Sequence, residues 1–174
     1  KLADEQTKEN VLQEQRKWIN MKEEATLIAV GHPEENGSLY PVKVNSFLKE
    51  ITRNRAYILA KELANVKGES FVMPEKSAKY GLFVNDEGVG SVYDSLITVQ
   101  GINDEAEIAL FRRGVLTGTF VDNGNGELSF TSEDGNVKGI IKINGWDGAT
   151  FTVTEALQES IVSVGYVFEF PFVF

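Results

Sequence analysis

The chain has 174 residues, 42% of them hydrophobic, with no cysteine and a formal net charge of −9. That length suits one domain, or one domain with an appended arm, and the apolar content fills a core without metal or disulfide help. The missing cysteines exclude a disulfide framework, a thiolate zinc site and a cysteine nucleophile, while leaving the redox compartment open.

The charge is unevenly spread. Residues 1–69 carry 11 basic and 11 acidic side chains, whereas residues 70–174 carry 6 and 15. An acidic surface repels phosphate backbones and anionic lipid, so no nucleic-acid partner is expected. No apolar run is long enough to cross a bilayer as a helix, and no signal peptide is visible. The sequence starts at Lys1 without an initiator methionine. That start reads either as trimming or as natural processing, and processing points to export or to maturation in an assembling particle. An extracellular, cell-surface or virion setting is therefore favoured over the cytoplasm.

In chain order, residues 3–10 are almost devoid of apolar side chains, after which Val11, Leu12, Trp18 and Ile19 repeat at heptad spacing. The pattern predicts a helix over about 4–24 that is buried only along its second half. Residues 1–25 then read as an N-terminal helical arm, either frayed or docked on a neighbour, with 26–174 as one α+β domain. Thr26–Val30 reads as a short strand, ended by Gly31, His32 and Pro33. A second helix is predicted over 46–67, with Leu48, Ile51, Ile58, Leu59, Leu63 and Val66 as its core face and Gly68 as its stop. Arg53, Arg55, Lys61 and Glu62 fall on the opposite, solvated side.

Near residue 69 the composition changes: 3 glycines and one phenylalanine precede it, 13 and ten follow. Turn signals at 85–88, 122–126, 133–136 and 144–148 separate short strands near 115–121, 127–131, 137–143 and 150–154. The last three turns recur about every 11 residues, which is meander spacing. An antiparallel sheet with one face buried follows, with Phe151 and Val153 pointing inward. At the end of the chain Val162, Val164, Tyr166, Phe168, Phe170, Phe172 and Phe174 alternate with other residues, which predicts one long strand. Pro171 marks that strand as an edge or a protrusion. A bare row of aromatics would aggregate, so either the domain itself or a partner covers it.

No catalytic constellation emerges. His32, the one histidine, sits beside Glu34 and Glu35 without the further ligands a metal site needs. Asp122, Asn123, Asn125 and Glu127 resemble a calcium loop, but the intervening glycines break the ligand alternation and hairpin chemistry accounts for them. Gly88-Val89-Gly90 and Gly124-Asn125-Gly126 precede no helix that could hold a phosphate. Arg112-Arg113 is the one basic pair in the acidic part and reads as a solvated strand end or a salt-bridging contact. Adjacent carboxylates such as Glu133-Asp134 fall mostly in turns, where they stay ionised.

The expected fold is α+β, an antiparallel meander curled into a partly open barrel or sandwich, with a packed helix and a helical N-terminal arm. The expected function is non-enzymatic: a structural or interaction subunit of a larger protein assembly such as a virion, tail, fibre or surface appendage, without cofactor or metal. Its partners would be protein subunits, as a homo-oligomer or larger assembly. They would meet Val11, Leu12, Trp18 and Ile19 of the arm, and Tyr166, Phe168, Phe170, Phe172 and Phe174 of the closing strand. The alternative is a small exported calycin-like or sandwich-type protein that binds an apolar ligand.

Overall fold

The computed structural model describes residues 3–87 and 92–174. The glycine pair at Gly88 and Gly90, and the end of the turn over 85–88, lie outside the described residues. The chain divides into two compact units, Lys1–Glu75 together with Phe174, and Lys76–Val173.

The first unit is helical. Helix α1 runs over Glu5–Val30, α2 over Pro33–Asn36, a 3-10 turn over Gly37–Leu39, and α3 over Tyr40–Lys67. Asp4 caps α1 by accepting a hydrogen bond from the Thr7 N–H at 2.7 Å. At its other end Gly31, with φ +78°, donates its N–H to the Leu27 carbonyl. The strand expected over 26–30 does not form, because α1 runs through it. A helix already nucleated extends at one hydrogen bond per residue, and that outweighs the few tenths of a kcal/mol by which β-branched side chains disfavour it. Thr26 adds a bond from its hydroxyl to the Lys22 carbonyl at 2.6 Å. The second helix starts six residues before the expected Ser46, with Pro41 in its first turn, where a missing N–H costs nothing. It stops as expected at Gly68, which adopts the left-handed conformation.

The second unit is a nine-stranded antiparallel sheet in the order β8-β7-β6-β5-β4-β3-β2-β1-β9. Its strands are β1 (Gly81–Asp86), β2 (Tyr93–Val99), β3 (Glu105–Leu110), β4 (Gly114–Gly124), β5 (Glu127–Ser132), β6 (Val137–Ile143), β7 (Ala149–Ala156), β8 (Val167–Phe170) and β9 (Phe172–Val173). The meander turns behave as their residues require. Asn125 and Gly126, both with positive φ, form the β4–β5 reversal. The Asp134 carboxylate organises the β5–β6 turn by accepting from the Ser132 hydroxyl and the Asn136 N–H.

The sheet curls into a nearly closed barrel, and its closure corrects the reading of the C-terminus. The predicted thirteen-residue strand is two short ones, because Gly165 at φ +86° turns the chain just before Val167. Phe170 stands opposite Ala149 of β7, while Phe172 stands opposite Val84 of β1. Pro171 stands at a sheet edge, as expected, because β8 and β9 on either side of it are the two outermost strands of the sheet. It sits where the chain passes from one ladder to the other, a point at which no N–H is needed. Along the aromatic row the sheet buries Phe170, half-buries Phe168 and Phe172, and leaves Tyr166 exposed.

The interior is filled. Leu96, Ile108, Leu128, Ile141, Phe151 and Phe170 are all 0% exposed. Phe130 meets Phe151 edge-on with ring centroids 5.5 Å apart. Gly139 lies against this pair, and a Cβ there would come within 2.5 Å of the Thr152 carbonyl oxygen. A protein of the calycin type holds its ligand in a central cavity, whereas here Phe130, Phe151 and Gly139 pack against one another in the interior.

Candidate functional site

In the helical unit the inward stripe of α1 follows positions 3, 7, 11, 15, 18, 21 and 25, all buried or half-buried. That spacing combines steps of four and three, as a helix packed along one face requires. Trp18, Met21 and Ala25 are buried, in line with the expectation that burial belongs to the second half of the helix. The heptad pairing of adjacent residues divides on this surface. Val11 and Trp18 turn inward, whereas Leu12 (44% exposed) and Ile19 (46%) face solvent.

Over the first three turns of α1 the inward side meets the last turns of α3, and the two helices leave an open apolar groove. Val11 and Leu12 line one wall, Leu59, Leu63 and Val66 the other, and the groove encloses about 560 Å³. Leu59, Leu63 and Val66 were expected in a core. They instead form the lip of this groove, and Leu63 is 51% exposed. The sequence signal was present, since residues 3–10 offer nothing large enough to fill the space opposite them.

Arg55 is a second departure. Expected on the solvated side of α3, it is 5% exposed. Its Nε donates to the Gln15 side chain at 2.8 Å, and its nearest carboxylate, Glu14, is 4.0 Å away. One terminal nitrogen has no hydrogen-bond partner. Burial pulls the guanidinium below its ordinary pKa, with Glu14 and Glu62 opposing that effect.

The remaining expected contact residues are dispersed by the fold. Phe170 lies inside the barrel, Phe168 and Phe172 are half-buried, and Tyr166 is exposed. Phe174, grouped with the helices, is buried and stacks on Trp18 with ring centroids 6.2 Å apart and planes 6° from parallel. Trp18, Phe170 and Phe174 thus have almost no surface left to offer a partner. Of the residues singled out, Val11 and Leu12 are brought together in one accessible depression.

The other candidates resolve locally. Asp122 accepts from the Gly124 N–H and Asn123 donates to Ser129, so the calcium-like run is bound up in its own hairpin. His32 precedes α2, and its backbone N–H donates to Glu35. Among the described residues no group of three or more histidine or acidic side chains could hold a metal ion, and no helix is long and apolar enough to cross a membrane.

No curated protein and no solved structure matches the chain. One family model does, over residues 1–59, about a third of the sequence. The matched stretch comprises α1, α2 and the first twenty residues of α3. It carries one wall of the groove, with Leu59 from the other, and the family it resembles is described as lysozyme inhibitor LprI.

Proposed function

We propose that the protein is an exported, non-enzymatic interaction protein whose helical hairpin engages a partner protein, with a lysozyme as the first candidate. The observation that carries this reading is the match of residues 1–59 to the lysozyme-inhibitor family. The open groove on the same hairpin supports it. Contiguous apolar surface left in water marks a docking site more often than it marks a fault in the fold. Leu12 and Leu63 are the anchors at its rim, and a knob from the partner would bury them.

The charge pattern suits such a role. The helical part is electrically balanced while the overall charge is −9, so a basic partner is steered toward the molecule without meeting a like-charged contact surface. The closing strand is used within the barrel, and the N-terminal helix keeps its accessible face.

The test is a turbidity assay in which lysozymes of several structural classes digest bacterial cell walls in the presence of increasing amounts of the chain. The lysis rate is expected to fall to a stoichiometric end point with at least one of them. Leu12→Glu and Leu63→Glu should abolish the inhibition while the melting temperature is unchanged. Absence of both inhibition and binding across the whole panel overturns the reading.

A further inference from the structure

The barrel carries a polar cavity of about 490 Å³ lined by Glu87, Asp94, Phe111, Arg112, Arg113 and Phe168, together with Leu110. The residues come from the end of β1, the start of β2, the β3–β4 turn and β8. Antiparallel pairing in register brings these segments to the same end of the barrel. Four charged side chains share this space, two of each sign, in a barrel that is otherwise acidic.

Such a set ordinarily collapses into ion pairs. Here each charge is held by something else. The Arg112 guanidinium lies 4.9 Å from the Phe111 ring centre, and that of Arg113 lies 4.9 Å from Tyr166 and 5.8 Å from Phe168. Stacking covers one face of a guanidinium and leaves its in-plane N–H groups free to fork a carboxylate. Neither arginine forms an ion pair among the described residues. Arg112 also adopts a left-handed backbone, φ +59°, which fixes the turn that presents the pair.

The acids are likewise occupied without being neutralised. Asp94, buried, accepts from the Phe111 N–H, and Glu87 accepts from the Asn85 amide at 3.0 Å. Glu87, largely exposed, is raised from its ordinary value by partial desolvation first, then by the charge of Asp94 and a hydrogen bond with it. Two carboxyls in contact with no cation between them bind a positive group more favourably than each other.

We propose that this cavity binds a zwitterionic small molecule, a free amino acid or short peptide, whose carboxylate is forked by Arg112 and Arg113 and whose ammonium sits between Glu87 and Asp94. The volume accommodates a ligand of that size. Phe111 and Phe168 form the apolar part of the lining. The site is separate from the helical groove and does not depend on what that groove binds.

Titration calorimetry on the full chain tests this with L-alanine, L-lysine and dialanine, each also as its N-acetyl and C-terminal amide derivative. The expected result is saturable binding of at least one free zwitterion, weakened about tenfold or more when either end is capped. Arg113→Gln and Glu87→Gln should weaken it comparably, and Arg113→Lys should restore little, because a lysine cannot fork a carboxylate. If Arg113→Gln lowers the melting temperature, the capped ligands on the native chain decide the question alone. No saturable binding by any of the three zwitterions, or equal binding by capped and free forms, overturns the proposal.

Discussion

Phe170 and Phe172 lie two residues apart, yet they stand on different ladders, Phe170 opposite Ala149 of β7 and Phe172 opposite Val84 of β1. Val167–Val173 therefore pairs with both ends of the meander. Because Phe170 is 0% exposed while Val167 on the same strand is exposed, the two positions separate packing from mere strand membership. Phe170→Ala should cost about 3–5 kcal/mol, whereas Val167→Ala should stay within about 1 kcal/mol. Urea midpoints of the two variants check this, and similar values would mean that the closing strand is not part of the cooperative core.

Gly139 tests the interior from the opposite direction. A Cβ there meets the Phe151 ring at 2.4 Å and the Thr152 carbonyl oxygen at 2.5 Å, and the carbonyl cannot step aside. Gly139→Ala should destabilise the barrel by about 1–3 kcal/mol through overpacking. Asn125→Gly, in the hairpin where Asn125 holds φ +54°, should by contrast be close to neutral. Thermal unfolding followed by near-ultraviolet circular dichroism distinguishes the two.

Arg55 is predicted to be replaceable. A buried guanidinium with one unpaired nitrogen keeps part of its desolvation cost uncompensated. Arg55→Met retains the aliphatic volume and removes the charge, so stability should be unchanged or raised. Arg55→Ala leaves a cavity and should lower it by about 2 kcal/mol. A strong loss in both variants would mean that Glu14, at 4.0 Å, contributes more than its distance suggests.

The pH dependence of stability should carry a signature of Asp104. Hydrogen bonds from Lys79 and from the Tyr80 hydroxyl hold its carboxylate below the ordinary value of 3.8. A depressed folded pKa gives stability that is complete above the unfolded value and lost as pH falls through the folded one. Asp104→Asn should therefore be less stable than the native chain near about pH 7, and the difference should close as pH falls below the ordinary value of 3.8 and through the lowered folded one. Paired urea titrations across that range test it, and a gap independent of pH would assign the effect to packing.

The sequence was most legible where local chemistry acts alone. Gly68 at the end of α3, Asn125-Gly126 between β4 and β5, and the alternation around Phe151 and Val153 each follow from backbone freedom or a two-residue period. It was least legible where a side chain answers to a partner far along the chain. Thr26–Val30 has strand composition but continues a helix, and Arg55 has the composition of a surface residue but is buried between α1 and α3. Leu63 and Val66 have the period of a core face, yet the α1 side of their groove supplies Ala3, Thr7 and Lys8 beside Val11 and Leu12, too little apolar bulk to fill it. The groove arises from that mismatch, which neither helix encodes by itself.

By itself, then, the sequence determined the division into a charge-balanced helical part and an acidic antiparallel meander, because composition and periodicity are local quantities. Only the tertiary structure decided that the end of the chain pairs at both ends of the meander, β8 on β7 and β9 on β1. It also decided that Glu87, Asp94, Arg112 and Arg113 line one cavity. Both depend on strand register summed around a barrel, and register between distant segments is fixed by which faces can pack together.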